Sequence, residues 1–290
     1  MSEIKKADVS LIVPNFNNGR YLADFIKSVV NSTVQPVELI IVDDGSADDS
    51  LSVLDGFKWV DYLKVILFEK NRGLTAALNA ALDASKGRYV MRADPDDILL
   101  PERIQKQYDF MEANPEVDVL GCNVIYFDSS SGRDINNSNF PLGPAMIRKA
   151  FLKGEHGIQH PTAFARGEVY RKYRYQKIFP GEDYEIFARM ISDGHSFANL
   201  AEPLYRMRVH PGSSTSNLKF SHIQTTFKFR DQIFHTKTSK TWMRLYFFHI
   251  LFYRKFQITN HLLLRYLYLL ISIIIYPGKF LNRIFNQRTF

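Results

Sequence analysis

Three carboxylates crowd into four positions at Asp94-Pro95-Asp96-Asp97, directly after the apolar run Tyr89-Val90-Met91. Like charges this close repel, and no Lys or Arg lies between them, so a bound cation accounts for the cluster. Carboxylate oxygens are hard ligands suited to Mg2+ or Mn2+, which nucleotide sites hold through one or two carboxylates together with phosphate oxygens. An acidic turn capping the following segment is the plainer alternative. Two further acidic pairs stand out, Asp43-Asp44 before Gly45 and Glu182-Asp183 before a segment with Ile186, Phe187, Met190 and Ile191 at helical spacing. Taken alone, the first reads as an Asp-Gly turn and the second as acidic residues in a first helical turn.

Alternating strands and helices surround these acids. Residues 9–13 form a short β-rich run that ends in Pro14-Asn15-Phe16-Asn17-Asn18-Gly19, a series of turn formers. Leu22, Phe25, Ile26, Val29 and Val30 then recur at helical spacing before Pro36, and residues 37–42 make a second strand pattern that stops at Asp43. A third strand at 63–68 leads to Asn71-Arg72-Gly73 and a helix carrying Leu74, Ala77, Leu78, Ala81 and Leu82 on one face. Gly87 punctuates the step to the strand that delivers the acidic cluster. This order predicts an α/β fold with a mostly parallel sheet covered on both faces, in which ligands bind beyond the carboxyl ends of the strands. Pro14-Asn15, Asp43-Asp44 and Asp94–Asp97 fall at those ends and are expected around one crevice. The Ser-, Asn- and Gly-rich stretch 122–144 reads as a long polar connection.

Bulk properties suit a folded protein of 290 residues, 46% hydrophobic and 23% charged. A single cysteine, Cys122, excludes an intrachain disulfide and fits a reducing compartment. Residues 1–8 carry no apolar segment of signal-peptide length, so a cytoplasmic location is expected. The net charge of +7 is unevenly spread. Residues 232–290 hold nine of the 37 basic residues and none of the 30 acidic ones. Such asymmetry points to a polyanionic partner.

The segments Val-Pro-Asn-Phe-Asn-Asn at 13–18, Ile-Val-Asp-Asp-Gly-Ser at 41–46, Asn-Arg-Gly-Leu-Thr-Ala-Ala-Leu-Asn at 71–79 and Asp-Pro-Asp-Asp at 94–97 resemble the ordered motifs of family 2 glycosyltransferases. That resemblance implies the GT-A fold, a Rossmann-like nucleotide-diphospho-sugar transferase, and places the donor site residue by residue. Asp43 or Asp44 would accept from the nucleotide base, uracil offering a suitable N–H. Pro14, Asn15 and Phe16 would border base and ribose, and Asn71, Arg72 and Gly73 would line the nucleotide edge. Asp94 and Asp96, with Asp97 beside them, would make the metal site, although Pro95 stands where a small residue is commoner. Glu182-Asp183 resembles the family's Glu-Asp motif, in which Asp183 would be the general base that takes a proton from the acceptor hydroxyl as it attacks the anomeric carbon. One base opposite the leaving group implies inversion at the sugar. His210 would complete the metal or diphosphate site, with Arg206, Arg208, Ser213 and Ser214 assisting, and His160 is a further candidate.

Residues 1–219 are accordingly expected to form the transferase domain and 220–290 a basic, aromatic helical extension. The run 262–276 is very apolar, but Arg265 interrupts it and it is short of the ~20 residues that span a bilayer. Aromatic residues interleaved with Arg244, Arg254 and Lys255 have the composition of helices lying in the headgroup layer. The extension is therefore read as peripherally attached to the inner face of the cell membrane through residues 240–290, with a saccharide or lipid-linked acceptor and no nucleic acid as partner. A helical hairpin packed on its own domain or in a dimer is the competing reading. Two other classes fit the sequence less well. A nucleotidyltransferase of related fold lacks its Gly-rich basic phosphate loop after the first strand, and a non-catalytic membrane-surface scaffold has no use for Asp94, Asp96 and Asp183 together.

Overall fold

The computed structural model describes residues 5–178, 180–210, 219–259 and 261–277. Two compact units divide the chain, Met1–Asn217 and Leu218–Phe290.

In the first unit, β1 (Lys6–Asn15), β2 (Gln35–Asp43), β3 (Leu63–Leu67) and β4 (Tyr89–Arg92) are joined through α1 (Gly19–Val30), α2 (Ser50–Asp55) and α3 (Leu74–Ala84). The strands pair in parallel in the order β3-β2-β1-β4. Leu11 and Ile12 of β1 and Leu39 and Ile40 of β2, neighbours that point to opposite faces, are all fully buried, as expected for strands covered on both faces. Helix α1 turns Leu22, Phe25, Ile26 and Val29 into the same core, the 3.6-residue period placing them on one side.

The register fixes where the polar ends meet. Asn15 lies opposite Asp43, and Ile12 lies opposite Arg92. The carboxyl ends of β2, β1 and β4 therefore stand side by side, with Asp94–Asp97 following immediately.

The second half departs from an all-parallel sheet. It adds β5 (Ile98–Leu99), α4 (Arg103–Ala113), β6 (Val119–Asp128), β7 (Asp134–Asn137), α5 (Pro144–Leu152), β8 (Phe164–Arg166), α6 (Gly167–Lys172), α7 (Glu182–Ser192) and β9 (Phe197–Val209). Strand β8 runs antiparallel to β4 and β6, β6 is parallel to β9, and β5 is antiparallel to β9. Pairing of Ile98 with Arg206 draws the end of β9, and with it Arg208 and His210, alongside the acidic loop.

Residues 122–144 are not one long polar connection. Strand β6 continues through them to Asp128 and returns as a hairpin to β7. The turn is closed by Asp128, whose carboxylate accepts from the backbone and side chains of Ser130 and Ser131, bonds that hold its pKa down at about 2. A polar composition concealed the strand because β7 is exposed along its length.

The second unit contains α8 (Phe220–Ile233), α9 (Lys240–Ile258) and α10 (Leu262–Ile275). Ser239 caps α9 by accepting from Trp242 N. Ile223, Phe227 and Tyr246 form a small core, and Ser272 of α10 meets His249 of α9 at 2.8 Å, a polar lock inside an apolar hairpin. Among the described residues, no helix is long and apolar enough to cross a membrane.

Candidate active site

The acidic loop has the donor set of a cation site. One ligand atom from each of Asp94, Asp96 and Asp97 lies within 4.8 Å of the others. The three carboxylates are held in different ways. Asp94 is clamped by the Arg92 guanidinium through contacts of 2.8 and 2.5 Å. Asp96 Oδ2 stands 3.0 Å from His210 Nε2. Asp97 is buried, accepts from Arg208 N at 2.7 Å through Oδ1, and leaves Oδ2 buried with no hydrogen-bond partner among the described residues. An orphaned buried carboxylate oxygen beside two other acids and an imidazole fits a hard divalent cation. Burial, reinforced by Asp96 and Asp94, pushes the Asp97 carboxyl well above the ordinary value. Burial also raises Asp94, where Asp96 and Asp183 add to the effect and Arg92 opposes it.

Arg92 changes the charge balance inferred from the loop alone. It reaches Asp94 from two residues upstream and is almost fully buried. Burial works against its charge, but Asp94 and nearby tyrosines raise its pKa above the usual arginine value. The fold thus compensates one of the three acids itself. Arg103 is buried as well; its guanidinium donates to the carbonyls of Arg92 and Pro161 and lies over the Tyr205 ring. It ties the end of β4 to the turn that carries His160.

Asp183 enters the same region from the first turn of α7. Gly181 precedes it with φ +108°, a left-handed conformation open to glycine, so the chain can turn sharply into the helix. Asp183 Oδ1 accepts from Tyr184 N at 2.7 Å, and Oδ2 lies 3.5 Å from His156 Nδ1. Its negative charge adds, after burial and Asp96, to the upward push on the Asp94 carboxyl. Glu182 is buried beside it, and burial together with Asp183 raises its pKa to about 7. Asp183 thus sits in the first turn of α7 with a quarter of its side chain exposed.

Comparison with known proteins agrees with this geometry. Residues 10–174 match the model described as Glycosyl transferase family 2. The chain belongs to that family. It is 34% identical over 199 residues, covering 68% of this chain and 73% of the other, to the amylovoran biosynthesis glycosyltransferase AmsE of Erwinia amylovora. It is 31% identical over 190 residues, covering 65% and 68%, to the UDP-Gal:alpha-D-GlcNAc-diphosphoundecaprenol beta-1,3-galactosyltransferase of Escherichia coli. Its fold is similar to that of S. aureus TarS 1-349 in complex with UDP-GlcNAc, with a TM-score of 0.63 at 19% identity, over 87% of this chain and 73% of that one. The first unit has the GT-A-like α/β fold of nucleotide-sugar transferases.

The remaining residues expected to matter in this family 2 glycosyltransferase divide by exposure and by partner. Phe16 is 43% exposed at the end of β1, whereas Pro14 and Asn15 are buried. Asn15 Nδ2 donates to Asp43, which also accepts from Ser46 N and Oγ. Asp44 accepts from Arg72 N at 2.6 Å and Gly73 N at 2.8 Å, joining the end of β2 to the start of α3. Gly45 fits there because a Cβ would come within 2.7 Å of the Lys70 backbone. Both acids thus shape the crevice wall through their bonds to protein. The exposed Arg72 guanidinium stacks on Phe68. Arg208 Nε donates to Asp96 O, while Arg206 is engaged by Gly132 O and Asp134 of the β6–β7 hairpin. His160 is buried against Tyr175 at 2.7 Å, and burial, then Arg92 and His156, depress its pKa strongly, so it is a neutral core residue. Ser213 and Ser214 lie outside the described residues.

Arg92, Arg103 and His156 escaped sequence reasoning. Arg92 had a signal, since i and i+2 share a strand face. Arg103 had one too, being four residues before Gln107 and next to Ile104 on the inward side of a helix. No signal marked His156, which comes from a loop 27 positions before its neighbour Asp183.

Proposed function

We propose that this enzyme moves a sugar from a UDP-sugar to a hydroxyl of a lipid-linked saccharide, inverting the anomeric carbon, with Asp183 as general base. The observation that carries the reading is the convergence of Asp94, Asp96 and Asp97 within 4.8 Å with Asp183 in electrostatic reach. Asp96, Asp97 and His210 would hold Mn2+ or Mg2+ beside Asp94, and the ion would offset charge gathering on the leaving diphosphate. Exposed Phe16 offers a face to the base. Asp183 removes the acceptor proton while the hydroxyl oxygen bonds the sugar carbon and the diphosphate departs. The E. coli relative, named for a UDP-Gal donor and a diphosphoundecaprenol acceptor, supports this donor and acceptor class.

The second unit supports attachment to a membrane surface on the cytoplasmic side. Leu263, Leu267, Leu270 and Ile274 form an exposed stripe on α10, at 77% and 69% exposure for its ends, and Leu245 and Phe248 are exposed on α9. Residues 232–290 supply basic charge without acids, so an anionic headgroup layer complements both features.

The test is transfer from UDP-Gal, UDP-Glc and UDP-GlcNAc onto a diphosphate-linked lipid saccharide with Mn2+, the product anomer being read by NMR. Inverted product that disappears with EDTA is expected. Retained configuration, or turnover indifferent to EDTA, overturns the assignment.

A further inference from the structure

The loop between α5 and the His160 turn carries an imidazole that the acidic motifs do not predict. His156 Nδ1 lies 3.5 Å from Asp183 Oδ2, and its ring meets the Tyr184 ring edge-on at 5.6 Å. Both neighbours are rigid. Tyr184 is fully buried and its hydroxyl donates to Phe151 O. Gly157 has no room for a side chain, since a Cβ there would come within 2.8 Å of Ile147, and its carbonyl accepts from Asn199 Nδ2 at 2.8 Å. The backbone next to His156 is therefore fixed while its ring remains 41% exposed.

We propose that His156 is a positioning residue for Asp183, its Nδ1–H holding Oδ2 while Tyr184 N–H holds Oδ1, so that the carboxylate plane is set before the acceptor arrives. This rests on Asp183 being the base. A separation of 3.5 Å is long for a hydrogen bond, as catalytic contacts often are before substrate closes the site.

The experiment compares wild-type full chain with H156N, H156A, D183N and H156A/D183N, using UDP-sugar turnover with Mn2+. H156A is expected to lose about tenfold in kcat with donor KM and Mn2+-dependent UDP binding unchanged, less than the ~10²–10⁴-fold of losing a general base outright, because the base itself remains. H156N, which keeps a donor near Nδ1, should stay within about threefold of wild type, and H156A/D183N should be no slower than D183N. Wild-type kcat in H156A, or losses that multiply in the double variant, overturn the proposal. Wild-type kcat in D183N overturns the base assignment instead, so the two failures are distinct.

Discussion

Arg92→Met removes the guanidinium that clamps Asp94 and so tests whether the fold compensates part of the acidic cluster. The pair is two-pronged, with the Arg92 side chain 4% exposed and that of Asp94 25% exposed. Taking one partner from a buried ion pair costs about 3–5 kcal/mol, because the other charge remains without compensation. Here the remaining carboxylate also faces Asp96 and Asp183. For a unit of this size each kcal/mol corresponds to roughly 2–4 °C, so the metal-free variant should melt about 6–20 °C lower. Differential scanning calorimetry in EDTA reads this directly. With Mn2+ and UDP the deficit should shrink, since a bound cation takes over part of the compensation. The double variant R92M/D94N, with neither charge left, should regain much of the loss. A metal-free R92M melting within a degree or so of wild type, or a double variant less stable than R92M, refutes the reasoning.

Asp183→Asn should lower turnover by about 10²–10⁴-fold while calorimetric UDP binding with Mn2+ is retained; loss of binding would mean that Asp183 serves the donor site. Glu182 has a folded-state pKa raised from 4.5 to about 7, first by burial and then by Asp183. Its protonated form therefore favours the folded state below pH 4.5, and that advantage is lost as pH rises through 7. Urea unfolding of Glu182→Gln should show its gain over wild type growing between pH 5 and 8, up to about 3 kcal/mol; parallel pH profiles would exclude the assignment. In vesicle flotation, binding should require anionic lipid. Reversing Arg244, Lys255 and Arg265 to Glu should weaken it by about 1 kcal/mol or more per residue, whereas salt-independent binding would point to apolar insertion alone.

Much of the first unit was legible because β1, β2 and β4 are largely buried and its helices carry regular apolar stripes. Residues 9–13 and 37–42 read as strands, and the turn formers after them marked the crevice. The second half was harder. Strand β8 is three residues long and β7 is exposed, so neither has an apolar pattern, and the β6–β7 hairpin depends on Asp128 accepting from two serines. Local sequence cannot report that a polar stretch is paired to a neighbour.

The acids themselves were visible because charge crowding at Asp94–Asp97 is a property of consecutive residues. Their environment was not. Arg92 clamping Asp94, His210 beside Asp96 from 114 positions away and His156 beside Asp183 all depend on strand register and loop packing. The chain by itself specified which groups were available for chemistry and that most lay at strand ends, since both follow from local composition and period. Which carboxylate was neutralised, which kept an oxygen open and which faced an imidazole was decided only by the assembled sheet, because burial and Coulomb interaction depend on distance in space, not along the chain.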